Sequence, residues 1–406
     1  MAASFSHEPT SRADRLGCAG RAHPKGAPPR APRRRELAAA GGWSETRHDR
    51  HNLVDRRKKL ASVGYLVTVA FCLLSAVVSC SRPSVLRGRT ICIDPGHGGT
   101  AAVDSYRVGP TGEREEWIDL RVALILRQLL EARGSKVLMT RTEDVDVPLA
   151  ERARLAVAGK ADVFLSIHHN ATADTGVNFP VVYFHGSASE NQASVMLGRH
   201  LLCALARALH RPETPLSLVS DHTIFPTAGT AVLRHSYGIP GVIVEASFFT
   251  NPEEEHRLRQ PAYNRREAEA YVEGLEAFFR EPMPAILAKG TRVQVDTFRV
   301  LQEAERMSPV ARLWREDFLE AERLMEQGDP DALRRAYELF TRSARSFPDS
   351  YLAGDCHRQR ARLLRLLGRA EEAARAQLRA EEYYVAVDCA KDPIHGEESR
   401  SFGKRN

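Results

Sequence analysis

The sequence predicts an α/β domain with a largely parallel sheet flanked by helices, followed by an all-α, helical-repeat-like region. Strand-like and helix-like segments alternate from residue 87 to 281, which is typical of a largely parallel sheet covered by helices. Beyond residue 310 the chain is rich in Ala, Leu, Arg and Glu, and apolar residues recur at helical spacing. A chain of 406 residues is long enough for both parts.

Five short apolar segments, rich in residues that favour β-structure, are the predicted strands. They are residues 90–94, 136–140, 162–168, 181–185 and 241–246. Helices are predicted at 115–133, 148–159, 190–210 and 264–280. Ligands of such sheets bind beyond the carboxyl ends of the strands, so functional side chains are expected there.

The C-terminal part begins with a predicted linker at 282–310, in which two prolines follow the last predicted helix. Region 311–388 is predicted to be helical, and residues 389–406 are predicted to be a disordered tail. The predicted helices are residues 312–327, 330–346, 351–367 and 370–386. Their sequence resembles degenerate tetratricopeptide helix pairs, and a plain helical bundle is the alternative.

The formal net charge of +6 is concentrated near the N-terminus, and the remainder of the chain is close to neutral. This distribution argues against nucleic acid as a partner. Residues 1–53 lack apolar periodicity and are predicted to be disordered. Since a signal sequence should begin close to the first residue, we interpret this segment as a mis-assigned upstream start.

Residues 54–80 have the order of a signal peptide: a basic stretch, an apolar run, then small residues before Cys80. Val77–Cys80 resembles a bacterial lipobox, which predicts a lipid anchor on Cys80 in the periplasm. Ser81 favours transfer to an outer membrane. A single transmembrane helix is the alternative, because the apolar run is just long enough to span a bilayer. Both interpretations predict that the following chain lies in the cell envelope.

The seven cysteines include no Cys-x-x-Cys pair, so the chain carries no zinc-ribbon or dithiol redox motif. Cys203 lies on an apolar helix face, where a free cysteine behaves as a small hydrophobic residue. Cys356 and Cys389 are the candidates for a disulfide in an oxidising compartment.

Reactive side chains stand where four predicted elements begin or end. His97 follows the first strand in a Gly-rich turn, and Glu115 opens a helix. His168 ends the third strand and Glu245 ends the fifth. Because the carboxyl ends of parallel strands share one edge, we expect these side chains to converge. Two imidazoles and a carboxylate suit a catalytic Zn²⁺, and a further carboxylate suits a base; structural histidines are the alternative.

Four motifs, in order along the chain, resemble those of the zinc-dependent N-acetylmuramoyl-L-alanine amidases, a peptidoglycan amidase family with a single α/β catalytic domain. They are Asp94–Gly99, Arg114–Leu120, Ser166–Ala171 and Val244–Glu253. The resemblance spans roughly residues 88–280 and implies a catalytic domain at 87–281. It implies zinc ligation by His97, Glu115 and His168. It also implies that Glu245 is catalytic.

Two neighbouring residues complicate this assignment. Glu116 is the alternative to Glu115 as a ligand, and only one of them can face the metal because adjacent helix positions point about 100° apart. On a strand, His169 would point to the face opposite His168, into a supporting or surface position.

The segment before Val232–Arg234 departs from the family pattern over residues 221–231. This loop is expected to border the site. We therefore predict Arg234 and His222 as substrate-positioning candidates, with an ordinary salt bridge as the alternative for Arg234.

The resemblance implies hydrolysis of the amide between N-acetylmuramic acid and L-alanine in peptidoglycan, with Glu245 moving the proton. The chemistry of the residues alone indicates only a zinc amide hydrolase. One alternative is therefore a zinc peptidase that cuts within the stem peptide, the peptide that begins with this L-alanine. A cell-envelope interaction protein with a relic α/β domain is another.

The predicted partners are peptidoglycan, a membrane, and an envelope protein that binds the C-terminal helices. We expect removal of these helices after Glu281 to leave metal binding and catalysis intact.

Overall fold

The computed structural model describes residues 84–99, 107–306 and 308–391. The segment at 1–53, the signal peptide or anchor at 54–80, and most of the tail predicted at 389–406 lie outside these residues. Within the described ranges, no helix combines the length and the apolar character needed to cross a membrane.

A seven-stranded sheet forms the centre, in the order β2-β1-β3-β6-β4-β5-β7. The strands are β1 (Thr90–Pro95), β2 (Lys136–Met139), β3 (Val163–Asn170), β4 (Val181–Phe184), β5 (Ser217–Ser220), β6 (Gly241–Phe248) and β7 (Tyr384–Val385). Four neighbouring pairs are parallel, and β4–β6 and β5–β7 are antiparallel. The predicted class, an α/β fold with a largely parallel sheet, is confirmed. All five predicted strands are present, whereas β5 and β7 were not predicted.

Helices cover both faces of this sheet. Those of the α/β part are α1 (Glu115–Ala132), α2 (Leu149–Ala158), α3 (Gln192–Leu209), α4 (Ala231–His235), α5 (Pro252–Leu258) and α6 (Pro261–Arg280). Successive residues of a strand point to opposite faces of the sheet. Leu165 packs into the core between the sheet and helices α1, α3 and α6, whereas Phe164 packs into the core on the other face. In α1 an apolar stripe at a spacing of four residues, which includes Val122 and Leu126, is fully buried against the sheet.

Four of the described C-terminal helices lie close to their predicted positions, and a fifth, short one falls within the predicted linker at 282–310. They are α7 (Glu303–Arg306), α8 (Trp314–Gln327), α9 (Pro330–Ser346), α10 (Ala353–Leu366) and α11 (Ala370–Tyr383). Unlike the separable module expected from the sequence, they share a core with the sheet, because Trp314 and Phe347 pack in one cluster with Phe164. The helix predicted at 370–386 ends at Tyr383, and strand β7 follows it directly and pairs with β5. The last strand of the sheet therefore comes from the end of the helical region.

The segment predicted as a linker is also fixed to the sheet domain. The Glu190 carboxylate accepts hydrogen bonds from the backbone N–H groups of Gly290 (3.0 Å) and Arg292 (2.8 Å). Leu287 N–H donates to the Glu190 carbonyl at 2.7 Å. These hydrogen bonds fix the course of the segment that connects the α/β part to α7.

The disulfide predicted between Cys356 and Cys389 is wrong. Cys389 is bonded instead to Cys203 of α3, and Cys356 is a buried free thiol. The reason is β7: once it pairs beside β5, the residues that follow it lie next to α3, which packs on the same part of the sheet. The bond thus ties the end of the helical region to the α/β part.

We expect loss of this disulfide to lower the free energy of unfolding by about 2–5 kcal/mol, because the bond closes a loop of 186 residues. Denaturant unfolding of Cys389→Ser and of the wild-type protein, each with and without reductant, measures the effect. Cys356→Ser is the matched control and should remain sensitive to reductant. Equal stability of Cys389→Ser and the oxidised wild-type protein would contradict the expectation.

Candidate metal centre and catalytic cleft

Two histidines and a glutamate converge at the carboxyl edge of the parallel strands. The Nε2 atom of His97 lies 2.9 Å from Oε1 of Glu115, and Nδ1 of His168 lies 2.9 Å from the same oxygen. The two imidazole rings meet edge to face with centroids 4.7 Å apart. The three side chains thus offer one ligand atom each, and these atoms lie within 4.8 Å of one another.

The turn after β1 makes this approach possible. His97 adopts a φ of +53°, in the left-handed region that non-glycine residues occupy rarely and at a cost. A Cβ atom on Gly96 would lie 2.3 Å from the His168 ring, so only glycine permits the approach of this ring.

Two buried arginines and an aspartate hold the same turn. Arg152 Nη1 donates to Asp94 at 3.0 Å, and its Nη2 donates to the His97 carbonyl. Arg141 Nη2 donates to the Gly96 carbonyl at 2.6 Å. The position of His97 is therefore fixed by buried charge-assisted hydrogen bonds rather than by the flexible turn itself.

The structure brings Glu115, and not Glu116, to the histidines. Glu115 is the first residue of α1, and its carboxylate faces both rings. Glu116 is fully buried and accepts a hydrogen bond from Arg114 Nε at 2.6 Å. The two neighbouring carboxylates are thus divided between different partners, as helix geometry requires.

The protonation states of these groups suit metal binding. Although burial raises the pKa of Glu115, the two histidines lower it further, so the net pKa lies far below the usual range. Burial lowers the pKa of His168 despite its hydrogen bond to Glu115. An ionised carboxylate and a neutral imidazole are the forms that bind a metal cation.

Glu245 lies beside this group on β6, directly opposite His168 in the parallel register. Its Oε2 atom is buried without a hydrogen-bond partner among the described residues. Burial, followed by repulsion from Glu115 and Asp119, raises the pKa of Glu245 well above its usual value. Its carboxyl group therefore retains a proton to a higher pH than an exposed glutamate does.

His169 points to the opposite face of β3, as predicted, but it is not on the surface. It is 1% exposed, and its Nδ1 lies 2.8 Å from Asp119 Oδ1 while its Nε2 lies 3.2 Å from Glu267 Oε2. Burial alone would lower the pKa of His169, but Glu267 and Asp119 hold it well above the usual value. The imidazole thus joins β3 to α1 and α6 directly behind Glu115.

A cavity of about 970 Å³ opens in front of these groups. His97, Glu115, His168 and Glu245 line it, and so does Arg234, whose Nη1 donates to the Ala228 and Gly229 carbonyls. His222 is not among its lining residues. It lies instead near Asp221, with its Nε2 atom 4.0 Å from Oδ1 of that residue.

The sequence analysis did not identify the cavity-lining residues that follow the α/β domain in the chain. Leu301, Gln302 and Arg306 lie on the cavity wall, together with Tyr183 of β4. No local signal in the sequence marks them, because they reach the cavity only through the packing of the helical region on the sheet.

The fold and the site define an α/β protein whose cleft holds a group able to bind a metal ion. Comparisons with known proteins specify the family. Residues 91–277 match the family model described as N-acetylmuramoyl-L-alanine amidase. The amidase AmiA of Escherichia coli K12 is 30% identical over 223 residues, which cover 47% of this chain and 76% of that protein. The amidase LytC of Bacillus subtilis is 30% identical over 193 residues, covering 48% of this chain and 36% of that protein.

The crystal structure of an N-acetylmuramoyl-L-alanine amidase from Clostridium difficile 630 is also similar. It is 27% identical, covers 48% of this chain and 98% of that chain, and superimposes with a TM-score of 0.42. On the family model and the match to AmiA, this chain belongs to the N-acetylmuramoyl-L-alanine amidase family, and the predicted enzyme class is confirmed.

Proposed function

We propose that the protein is a zinc-dependent enzyme that hydrolyses the amide between N-acetylmuramic acid and L-alanine in peptidoglycan. The observation that carries the proposal is the convergence of His97, Glu115 and His168 beside Glu245 at the edge of an open cleft. Membership of the family supports peptidoglycan as the substrate and this amide as the bond that is cleaved.

The three converging side chains fit zinc. Two imidazole nitrogens and one carboxylate oxygen form a ligand set typical of catalytic zinc sites, which leave a further position open. His97, Glu115 and His168 would hold the ion. When bound, zinc supplies a Lewis acid that polarises the amide carbonyl and lowers the pKa of a coordinated water.

Glu245 would carry the proton in this reaction. Its carboxylate accepts a proton from the attacking water and then delivers it to the departing amine. The raised pKa of Glu245 supports this role, because the group must keep the proton that it accepts until the amine departs. His169, with Asp119 and Glu267, would keep β3 and α1 in register behind the ligands.

The proposed location is the cell envelope, outside the cytoplasm. The disulfide between Cys203 and Cys389 supports an oxidising compartment. We propose that a lipid on Cys80, or else a transmembrane helix at 54–80, anchors the chain to a membrane.

Mass analysis of the products from purified soluble muropeptides tests the reaction. We expect free peptides that begin with L-alanine, together with peptide-free sugar chains, and we expect chelation of the metal to stop their release. A shortened stem peptide that stays attached to the sugar would identify a peptidase and overturn the proposal.

A further inference from the structure

One wall of the catalytic cavity is built by a segment that lies beyond the residues matched by the family model. That match ends at residue 277, whereas Leu301, Gln302 and Arg306 line the cavity together with Glu245. This wall is therefore a feature of the present chain that the shared catalytic domain does not supply.

Arg306 is held rigidly at this wall. Its Nη2 donates to Oδ1 of Asp349 at 2.7 Å, and its guanidinium carbon lies 5.2 Å from the centre of the Phe347 ring. Asp349 is fully buried, and its other oxygen accepts a hydrogen bond from the Tyr183 hydroxyl. An arginine fixed in this way loses little conformational entropy when it binds a ligand.

The guanidinium keeps donors available. It carries five N–H groups, and among the described residues Asp349 is the only hydrogen-bond partner of this side chain. The Arg306 side chain is 16% exposed. Since the residue lines the cavity, a group bound there can accept the remaining hydrogen bonds.

Three other arginines in the described part of the chain line the cavity and are occupied differently. Arg234 donates to the Ala228 and Gly229 carbonyls. Arg152 is bonded to Asp94 and to backbone carbonyls under the metal centre. Arg107 lies 3.1 Å from His97 Nε2 and 3.6 Å from Glu115 Oε2. Arg152 and Arg107 belong to the metal end, where the Glu115 carboxylate would repel an anion. The helical wall is the more favourable place for one.

We infer that Arg306, assisted by Gln302, binds a carboxylate carried by the peptide part of the substrate. The inference rests on the proposed function, under which the substrate is a sugar-linked peptide. A planar guanidinium matches a carboxylate in shape and can donate two parallel hydrogen bonds to it. The C-terminal region would thus select the peptide that enters the cleft.

Kinetics with two soluble muramoyl-peptides test this inference. One has free peptide carboxylates, and the other has every carboxylate converted to a carboxamide. We expect the wild-type protein to prefer the free carboxylates by about 10- to 100-fold in kcat/KM. Arg306→Gln should reduce this preference to about one while still cleaving the carboxamide form. Arg306→Lys, which retains the charge but loses the planar fork, should show an intermediate preference.

Arg342→Gln is the matched control, because Arg342 also pairs with an aspartate of the helical region, Asp317, but does not line the cavity. It should keep the wild-type preference. Gln302→Ala should weaken the preference without touching the Arg306–Asp349 pair. If the wild-type protein cleaves both substrates equally, or if Arg306→Gln and Arg306→Lys slow both equally, the inference is overturned and the amidase function stands. Cleavage of neither substrate by the wild-type protein would overturn both.

Discussion

Replacing Glu245 with glutamine should lower amidase turnover by about 10⁴-fold while leaving metal content unchanged. The substitution preserves the size of the side chain and removes the group proposed to accept and return the proton. A general acid–base residue contributes about 10²- to 10⁴-fold, and one that serves both steps should lie at the upper end. Because repulsion and burial already disfavour the charged form of Glu245, the neutral amide should not lower the melting temperature.

Zinc analysis, thermal unfolding and product formation should be measured on the same preparation of Glu245→Gln. His97→Ala and His168→Ala are the comparison variants, and each should lose metal as well as activity. Glu253→Gln, at an exposed position in the first turn of α5, is the matched neutral control. Loss of zinc from Glu245→Gln would make Glu245 a ligand, and near-normal turnover would assign the proton transfer to another group.

The part of this site that could be predicted consists of residues adjacent to well-defined strands. His168 and Glu245 end long apolar runs, so their common edge follows from the parallel sheet alone. The choice of Glu115 over Glu116 came from the resemblance to the family. The structure supplies its physical reason, since Arg114 pairs with Glu116 and turns that carboxylate away.

The two unpredicted strands are short, and β7 lies in a stretch that the sequence analysis assigned to the helix at 370–386. β5 is four residues long, with a serine at each end, and β7 has only two residues. β5 pairs with β4 inside the α/β part, whereas the pairing of β7 with β5 depends on the packing of the C-terminal helices, which no local pattern encodes. The error over the disulfide has the same origin, because the neighbour of Cys389 depends on where β7 lies in the sheet.

Side-chain partners distant in sequence were also beyond prediction. The alternation of β3 gave the direction of His169 but not its burial between Asp119 and Glu267. Arg306 and Asp349 lie 43 positions apart, and the sequence presents them as ordinary charged residues, one in the predicted linker and the other in the helical region. Their role at the cleft follows only from tertiary packing.

Truncation after Glu281 should therefore abolish folding, in contrast to the expectation from the sequence. It removes β7 from the sheet edge and the buried Trp314 and Phe347 from the core that they share with Phe164. Loss of one large buried aromatic side chain costs about 3–5 kcal/mol, and a whole domain is stable by only about 5–15 kcal/mol. The sheet face that contains Tyr183 would also be left open to solvent.

Circular dichroism, thermal unfolding and zinc content should be measured for the chain that ends at Glu281 and for a control that ends at residue 391. The control keeps β7 and the Cys203–Cys389 disulfide and should behave as the full chain does. We expect the shorter chain to show no cooperative unfolding transition, no bound zinc and no release of peptide from muropeptides. A folded, zinc-loaded and active chain ending at Glu281 would show that the helices do not complete the catalytic fold.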